Sequence, residues 1–404
     1  MSGSDISVQR ISSSDEILAI RGEWDEIQSA CSARHVLLDP LWVSTWWRHF
    51  GAKKNLHLLL LRRNKTAVGI APLMISRGRE VFPSREAYVQ IADDFRHVPG
   101  ANWRRVVPIR RLTFPLSITS SNIRSHFLLA DDEPSTVRGV MDYCKGIERE
   151  WDMMVLEGIP DSSPQLPLIQ AAGPQAGLLT GHAVGTRHLF RSTLPATFEE
   201  FLAEHSRRYR KRLRQECSLA ERRVADFGKL EVRCLRGKEA VEIMPTFLAL
   251  EARSWKVQGK RERRLYLQLD DRLRAFYREL ASVFAGEDRA QVLLLEVGGK
   301  PVAGLFTLER AGTTNCVLTF MVSDVPYQVS TAPIWREYFE RSIAQGHHEI
   351  DFNGKTENVI KWADDEMSYE RVLFFNKKPY SQVLGLISNS ARSISSSLRR
   401  RSGK

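Results

Sequence analysis

Two carboxylates stand where they could accept a proton from a substrate. Glu251 falls on the apolar stripe of a helix predicted over 239–256, in which apolar residues recur at 3-4-3-4 spacing. A carboxyl group removed from water has a raised pKa and becomes a stronger general base, while an ion pair with an arginine of 261–264 explains the same position equally well. Asp351 lies near the end of a predicted strand, where α/β proteins place polar site residues, or it forms an Asx turn that ends the strand.

The segment 323–333 joins a predicted strand to a predicted helix. It reads SDVPYQVSTAP, in which Ser330 or Thr331 can cap the helix and Pro333 suits its first turn. Backbone N–H groups at a helix N-terminus attract anions, so this loop could hold a pyrophosphate. Caps occur at most helices and the loop has no glycine-rich cradle, so the same pattern also fits an ordinary strand-to-helix turn.

The run 207–223, RRYRKRLRQECSLAERR, carries eight Lys or Arg residues. These arginines, with the interleaved Tyr209, could bind phosphates and stack on bases. The alternative is a solvated helix whose leucines face the core and whose two glutamates interrupt the basic face.

Several other classes of protein are excluded. The sequence has no G-x-S-x-G motif, and the adjacent His347 and His348 would point to opposite faces of a strand, so they cannot share a metal ion. Five widely spaced cysteines exclude a disulfide framework and favour a reducing cytoplasm. With 43% hydrophobic and 26% charged residues the chain is not disordered, and no apolar run reaches the roughly 18 residues of a spanning helix. The net charge of +11 favours anionic partners.

The elements that must position these residues occur twice. The series Leu58-Leu59-Leu60, Lys65, Val68-Gly69-Ile70, Leu73 recurs without gaps as Leu293-Leu294-Leu295, Lys300, Ala303-Gly304-Leu305, Leu308, so Lys65 aligns with Lys300. Both copies predict a β-hairpin, and Gly298-Gly299 forms the two-residue turn of the second. A predicted helix and strand then follow in each half, over 134–158 and 333–354. A repeat this long indicates a duplicated domain.

Helices open each half. A first helical face, after Ser14 as the predicted N-cap, consists of Ile17, Ile20, Trp24, Ile27 and Cys31. In the second half Thr197 and Glu200 form a capping box that starts a helix predicted to continue to about Arg223. The alternation of helices and strands predicts a mixed α/β (α+β) fold, with domains over 1–185 and 186–378 and a basic, serine-rich tail over 379–404.

The combined motifs resemble a known family. The matching pieces are Asp39-Pro40, Trp42, Trp46-Trp47, Gly69-Ile70-Ala71-Pro72-Leu73, His205-Ser206-Arg207-Arg208-Tyr209-Arg210-Lys211, Glu251-Ala252-Arg253-Ser254-Trp255-Lys256, Gly299-Lys300-Pro301-Val302-Ala303, Asp351-Phe352-Asn353-Gly354 and Lys361-Trp362. In order and spacing they resemble bacterial GNAT-superfamily acyltransferases of the cellulose-biosynthesis-protein-like type, which are related to Fem-type (FemABX) peptidyltransferases.

This resemblance implies two tandem GNAT-like domains and direct transfer of an acyl group, such as acetyl, from a CoA thioester to an amine or, less often, a hydroxyl. Acyl-CoA is then a co-substrate, and no cofactor is bound permanently. The implied site has a donor loop at Gln328, Ser330, Thr331 and Ala332, a general base at Glu251 or Asp351, and substrate-binding residues at Tyr327, Trp255 and Lys361. A backbone N–H of the strand 315–322 would polarise the thioester. The first half would be a degenerate, structural copy, and family association suggests an envelope or exopolysaccharide precursor as the acceptor.

The sequence departs from the family at the donor loop. A standard GNAT pyrophosphate loop is Q/R-x-x-G-x-G/A, whereas here Thr331 stands where the glycine-bearing turn is expected. Two other functions follow from this departure. One is a Fem-like peptidyltransferase that uses aminoacyl-tRNA, and only this alternative makes a nucleic acid a partner. The other is a non-catalytic binding module that has lost its donor site.

The residues after Pro379 predict a peripheral anchor. Apolar positions recur at Val383, Leu384, Leu386, Ile387, Ile394 and Leu398, and positive charge comes from Arg392, Arg399, Arg400, Arg401 and Lys404 without an acidic residue. Such a segment can lie on an anionic membrane surface, and a frayed, serine-rich terminus is the alternative. We therefore expect a cytoplasmic protein with peripheral association at the inner face of the membrane.

Overall fold

The computed structural model describes residues 6–31, 35–78, 108–115, 125–131, 134–181, 187–254, 270–353 and 362–386. The chain divides into two compact units. Unit 1 consists of Met1–His188 together with Met367–Lys404, and unit 2 consists of Leu189–Glu366. The first boundary lies close to the predicted one at 185, but residues 367–378, which the sequence assigned to the second domain, lie in unit 1.

The strands are, in chain order, β1 Ile6–Ile11, β2 Asn55–Arg63, β3 Thr66–Gly78, β4 Ile109–Thr113, β5 Leu128–Leu129, β6 Met153–Pro160, β7 Leu179–Gly181, β8 Arg187–Thr193, β9 Leu230–Arg236, β10 Ala290–Val297, β11 Lys300–Arg310, β12 Thr313–Met321, β13 Glu349–Asp351 and β14 Asp365–Phe375. The α-helices are α1 Ser14–Ala19, α2 Arg21–Ala30, α3 Pro40–Phe50, α4 Pro134–Gly146, α5 Gln165–Gln175, α6 Phe198–Glu204, α7 Arg207–Val224, α8 Gly237–Ala249, α9 Asp271–Ala285, α10 Ala332–Ala344 and α11 over 379–386. In the part of the chain that the structure describes, no helix combines the length and apolar character needed to cross a bilayer.

The two units repeat one sheet order. Unit 1 has the order β1-β2-β3-β4-β6-β14, with β5 added to β3 and β7 to β14, and unit 2 has the order β9-β10-β11-β12-β13-β8. In both, the fourth and fifth strands are parallel and a helix connects them, α4 in unit 1 and α10 in unit 2. The other neighbours are antiparallel. Unit 1 takes its sixth strand, β14, from the chain that follows unit 2, which explains why the predicted bound at 378 differs from the structure.

The hairpin turns fix how the two copies align. Asn64 and Lys65 form the turn between β2 and β3 with φ of 48° and 73°, and Gly298 and Gly299 form the turn between β10 and β11 with φ of 56° and 74°. The structure therefore aligns Asn64 with Gly298, whereas the gapless sequence alignment pairs Asn64 with Gly299 and is wrong by one position. A shift of one residue moves a side chain to the other face of a sheet.

Two glycines show this change of face. A Cβ added to Gly69 would lie 2.8 Å from Leu129, with Thr136 of α4 at 3.3 Å. A Cβ added to Gly304 would lie 2.8 Å from the ring of Phe247 in α8. The two glycines that the sequence alignment equates thus lie against different helices, and Gly69 corresponds instead to Ala303.

Helix capping explains where the predicted helices break. Ser13, not Ser14, caps α1 by accepting a hydrogen bond from the Glu16 N–H at 3.2 Å. The capping box of Thr197 and Glu200 is present as predicted. The long helix predicted after it is two helices, because Ser206 has extended backbone angles and caps α7 anew.

The continuous apolar run of β2, NLHLLLLRR, is buried on both faces. Leu58 and Leu60 pack with residues of α1–α3, while Leu59 and Leu61 pack with residues of α4 and α5. A strand covered on both faces is apolar at every position instead of alternating. This burial also encloses one histidine, His57, whose side chain has no exposed surface.

We expect His57 to make the fold acid-sensitive. Burial, with the positive charge of Arg10, lowers the pKa of His57 from its ordinary 6.5 to about 4. Glu150 lies 3.5 Å from Nε2 but is nearly half exposed, so solvent screens it. Because His57 is neutral in the fold, its contribution to stability is present above pH 6.5 and is lost as the pH falls toward 4. The loss is about 3 kcal/mol.

The measurement is urea unfolding of the wild type and of His57→Gln at pH 7 and pH 4.5. The variant should lose less stability between the two pH values than the wild type does. Equal losses would show that other groups account for the acid sensitivity.

Candidate functional site

The predicted donor loop lines a cavity of unit 2. The cavity has a volume of about 350 Å³. Its walls are Glu216, Leu219 and Arg223 of α7, Met321 of β12, Gln328, Val329, Ser330 and Thr331 of the loop, and Trp362. Ala332 is buried at the start of α10, and Tyr327 packs its ring against Phe227, 4.7 Å between centroids, without lining the cavity. The structure thus brings three of the four predicted loop residues to one cavity.

The start of α10 offers few N–H donors to a ligand. Thr331 is the N-cap but makes no side-chain cap, and the Ser330 hydroxyl instead accepts the Ala332 N–H at 3.4 Å. Pro333 has no N–H, and the first intrahelical bond runs from Trp335 to Thr331. In the first turn, these bonds leave the Ile334 N–H as the donor that a ligand in the cavity could use. An anion in this cavity therefore needs donors from other elements.

Helix α7 supplies positive charge to the cavity. Glu216 is paired with Arg212 at 2.8 Å, so its charge is neutralised. Arg223 is exposed and has no acidic partner in the described part of the chain. The lining therefore carries one uncompensated positive charge, which suits an anionic ligand. Burial raises the pKa of Cys217 on the same helix to about 11, so this thiol is not a ready nucleophile.

An aromatic cluster holds the Trp362 wall in place. His205 donates to the Phe201 carbonyl through Nδ1 (2.7 Å), and its Nε2 lies 2.8 Å from Asp364. Burial acts to lower the pKa of His205, but the hydrogen bonds to Asp364 and to the Phe201 carbonyl outweigh it and raise the pKa. Tyr209 stacks beside His205 and meets Trp362 edge-on, with 6.0 Å between their centroids.

The parallel strands β12 and β13 pair over a short ladder. This ladder runs from Thr313 opposite Glu349 to Asn315 opposite Asp351, where β13 ends, while β12 continues to Met321. Beyond the ladder, Asn353 takes a φ of 50° and donates from Nδ2 to the Cys316 carbonyl at 3.2 Å. The backbone ladder between the two strands therefore ends at Asn315 and Asp351, and a side chain makes the next contact.

Two buried asparagine side chains lie at the end of this ladder. Asn315 and Asn353 are fully buried, and in the described part of the chain Oδ1 of each has no hydrogen-bond partner. A buried acceptor without a donor is costly and marks a place where a ligand can donate. Sequence reasoning did not assign either residue a role, although an asparagine in the apolar strand TTNCVLTFM was a visible signal.

Asp351 is fully buried at the end of β13. Its Oδ1 accepts the Asn353 N–H at 2.8 Å, which is the Asx turn considered from the sequence. This bond gives Asp351 a structural role at the end of the ladder between β12 and β13.

Glu251 lies at the opposite end of β12. Helix α8 ends at Ala249, so Glu251 belongs to a 3-10 turn over Leu250–Arg253 and not to the predicted α-helix, although it is buried as the stripe predicted. The Ser254 hydroxyl donates to the Glu251 carbonyl at 2.7 Å, and Ser254 forms a β-bridge with Val322. The turn is thereby fixed beside Met321, a wall of the cavity.

The two carboxylates belong to segments that meet opposite ends of β12. Asp351 is opposite Asn315, whereas Ser254, which follows the turn that carries Glu251, is bridged to Val322 just after β12. The length of strand from Asn315 to Val322 is roughly 23 Å, at about 3.3 Å per residue. Trp255 and Lys361, the other predicted substrate-binding residues, lie outside the described residues.

The described residues offer no candidate site for a metal ion. Among the described side chains, His, Cys, Asp and Glu do not gather in a group of three that could hold a metal ion.

Comparisons with known proteins agree with this geometry. A family model described as an acetyltransferase (GNAT) domain matches residues 207–362, the part of the chain that contains the cavity and the parallel strands β12 and β13. A search of curated protein sequences finds no match.

Solved structures similar to this chain have low sequence identity. FemX is 10% identical with a TM-score of 0.58, and the match covers 93% of this chain and 99% of FemX. A conserved protein of unknown function from Bacteroides thetaiotaomicron is 12% identical, covering 91% and 99%, with a TM-score of 0.53. The C-terminal domain of a putative lysylphosphatidylglycerol synthetase from Agrobacterium fabrum is 11% identical, covering 93% and 96%, with a TM-score of 0.50.

These findings confirm the predicted fold class. The chain has a mixed α/β, GNAT- and Fem-like fold with two GNAT-like units. Residues 207–362 match the acetyltransferase (GNAT) domain model, in agreement with this fold.

Proposed function

We propose that this protein transfers an acyl group, such as acetyl, from acyl-CoA to an amine or hydroxyl of an envelope- or exopolysaccharide-related acceptor. The observation that carries this proposal is the cavity that Gln328, Ser330 and Thr331 share with Arg223. Its volume of about 350 Å³ falls within the usual range of small-molecule sites. Acyl-CoA acts as a co-substrate and leaves after each turnover. Since this donor is cytoplasmic, we place the reaction in the cytoplasm.

Donor binding uses polar groups on both sides of the cavity. The Arg223 guanidinium, the Gln328 amide and the loop hydroxyls face the same space, and guanidinium groups bind phosphate oxygens with two parallel hydrogen bonds. Arg223 thus replaces two donors that the start of α10 lacks, because Pro333 has no N–H and the Ala332 N–H is bonded to Ser330. With Thr331 in place of the expected glycine, a side-chain cation and not the loop backbone supplies the main contacts to the anion.

The reaction is a direct displacement. The acceptor amine attacks the thioester carbonyl, a C–N bond forms, the C–S bond breaks, and the CoA thiolate leaves. A backbone N–H of β12, beyond its ladder with β13, polarises the carbonyl oxygen. Glu251 accepts the proton from the amine, and the thiolate takes up a proton from solvent.

The donor site lies in unit 2 only. The β12 position of unit 2 is one continuous strand paired to β11 over its length. In unit 1 the corresponding position is divided, with β4 pairing β3 at Met74–Gly78 and β5 pairing it at Gly69 and Ile70. This interruption supports the role of unit 1 as a structural copy.

Saturating acetyl-CoA should raise the melting temperature. At about 100-fold over the dissociation constant the stabilisation is about 2.7 kcal/mol. Arg223→Gln should weaken acetyl-CoA binding, whereas the matched control Arg222→Gln should not, because Arg222 does not line the cavity. No shift with acetyl-CoA or longer acyl-CoAs would remove the proposed donor and favour a non-catalytic module.

A second candidate donor is aminoacyl-tRNA. The outer face of α7 carries four exposed cations, Arg207, Arg208, Lys211 and Arg214, with no acidic partner in the described part of the chain. Phosphate contacts make binding salt-dependent, so Arg208→Gln/Lys211→Gln should weaken tRNA binding and reduce the salt slope by about two. The same double variant should leave acetyl-CoA binding intact, which separates the two candidates.

A further inference from the structure

Helix α11 presents apolar side chains to solvent. Val383 is 51% and Leu386 67% exposed, and Tyr380, which precedes them at the same spacing, is also exposed. The helix itself is fixed, because Leu384 is buried with Ile109 and other residues of unit 1. This packing corrects the expectation that everything after Pro379 lies apart from the domains, whereas 387–404 falls outside the described residues.

A cationic cavity opens beside this helix. It has a volume of about 430 Å³ and is lined by Arg77, Pro108, Ile109, Arg110, Asp152 and Tyr380. Arg110 is paired with Asp152 at 2.6 Å, but Arg77 is exposed and has no acidic partner in the described part of unit 1. Burial lowers the pKa of the neighbouring Lys378, and the charge of Arg110 acts in the same direction.

The sequence from Lys377 onward is also basic. From Lys377 to Lys404 the sequence has seven Lys or Arg residues and no Asp or Glu. Apolar residues that project between cations fit a surface that is anionic on the outside and apolar beneath, which is the profile of a lipid headgroup layer. A nucleic acid or a free phosphate would satisfy the cations but not the apolar row.

We propose that α11 and the cavity at Arg77 dock unit 1 on an anionic lipid bilayer. Tyr380, Val383 and Leu386 enter the headgroup region, while Arg77 and Lys377 contact lipid phosphates. This inference goes beyond the proposed function and does not depend on it. It adds a surface that would hold the enzyme close to lipid-linked acceptors.

The experiment is co-sedimentation of the full chain with vesicles of phosphatidylcholine alone and with vesicles of phosphatidylcholine and phosphatidylglycerol mixed two to one. We expect binding to the anionic vesicles, and about a tenfold or greater loss of binding in Val383→Ser/Leu386→Ser. The matched control is Leu18→Ser/Leu179→Ser, which removes similarly exposed apolar side chains (38% and 41%) elsewhere on unit 1. Arg77→Gln/Lys377→Gln should lower binding to the anionic vesicles only.

Three outcomes would overturn the proposal. The first is no binding to anionic vesicles at low salt. The second is an equal loss in the test and control pairs. The third is full binding by Val383→Ser/Leu386→Ser that disappears when 387–404 is deleted, since binding would then be electrostatic adsorption of the tail. Melting temperatures of all variants verify the fold, and acetyl-CoA binding, measured separately, tests the proposed function.

Discussion

Replacing Glu251 by glutamine is expected to lower turnover by about 10²–10⁴-fold, the usual contribution of a general base. Glutamine keeps the size of the side chain and its hydrogen-bonding reach but cannot accept the proton. The buried 3-10 turn that carries Glu251 is tied to the end of β12 beside the cavity. The measurement is thiol release from acetyl-CoA in the presence of a panel of small amines, over a range of pH. The acid limb of the pH profile should also change.

The controls separate chemistry from folding. Glu242→Gln makes the same replacement on an exposed position of α8, where the side chain pairs with Lys238, and should leave turnover unchanged. Asp351→Asn keeps an acceptor for the Asx turn and should also stay active. If Asp351→Asn loses turnover at an unchanged melting temperature while Glu251→Gln does not, the base is Asp351. Unfolding of Glu251→Gln would instead indicate a structural ion pair.

Replacing Arg371 by methionine should cost about 3–5 kcal/mol of the free energy of unfolding, because it removes one member of a buried pair. Arg371 of β14 is hydrogen-bonded to Glu157 of β6, and both are buried in unit 1. The substitution removes the Arg371 charge from beside the buried Glu157 carboxylate, and the expected loss is far larger than the net stabilisation from the intact pair. Urea unfolding at neutral pH measures the change.

The double variant Glu157→Met/Arg371→Met tests this cause. Because it removes both charges, it should recover most of the stability that Arg371→Met loses. Arg336→Met, which breaks a solvent-facing i,i+4 pair with Glu340, should cost less than about 1 kcal/mol. A double variant as unstable as the single one would show that the loss comes from packing and not from removing one charge of the Arg371–Glu157 pair.

Local sequence signals predicted local structure well. The glycine pair at 298–299 and the capping box at Thr197 appear in the structure as predicted. The first hairpin turn lies at Asn64 and Lys65, but the two hairpins were aligned one position out of register because these residues, which have side chains, take the positive φ that the sequence pattern attributes to glycine. The assignment of β14 failed for another reason. It pairs with β6, and nearly all of unit 2 separates these two strands in the sequence. No local pattern encodes so distant a partner.

The site was predicted in part. The loop residues Gln328, Ser330 and Thr331 do line a cavity, because helix capping is a local property that the sequence displays. Arg223 was not singled out, since in the run of eight cations on α7 only the helical phase against the core decides which one faces the cavity. Asn315 and Asn353 were missed because their unsatisfied amides appear only once the strands around them are placed.

The late position of β14 affects how the protein is made. Residues of β6 leave the ribosome well before their β14 partners, and Asn376 bonds to Trp151 across 225 positions of the chain. At typical synthesis rates this delay lasts roughly 10–45 s. During that time β6 exposes a strand edge that can pair with other nascent chains. The segment Met1–His188 lacks β14 and is therefore expected to be a poor fragment for separate expression.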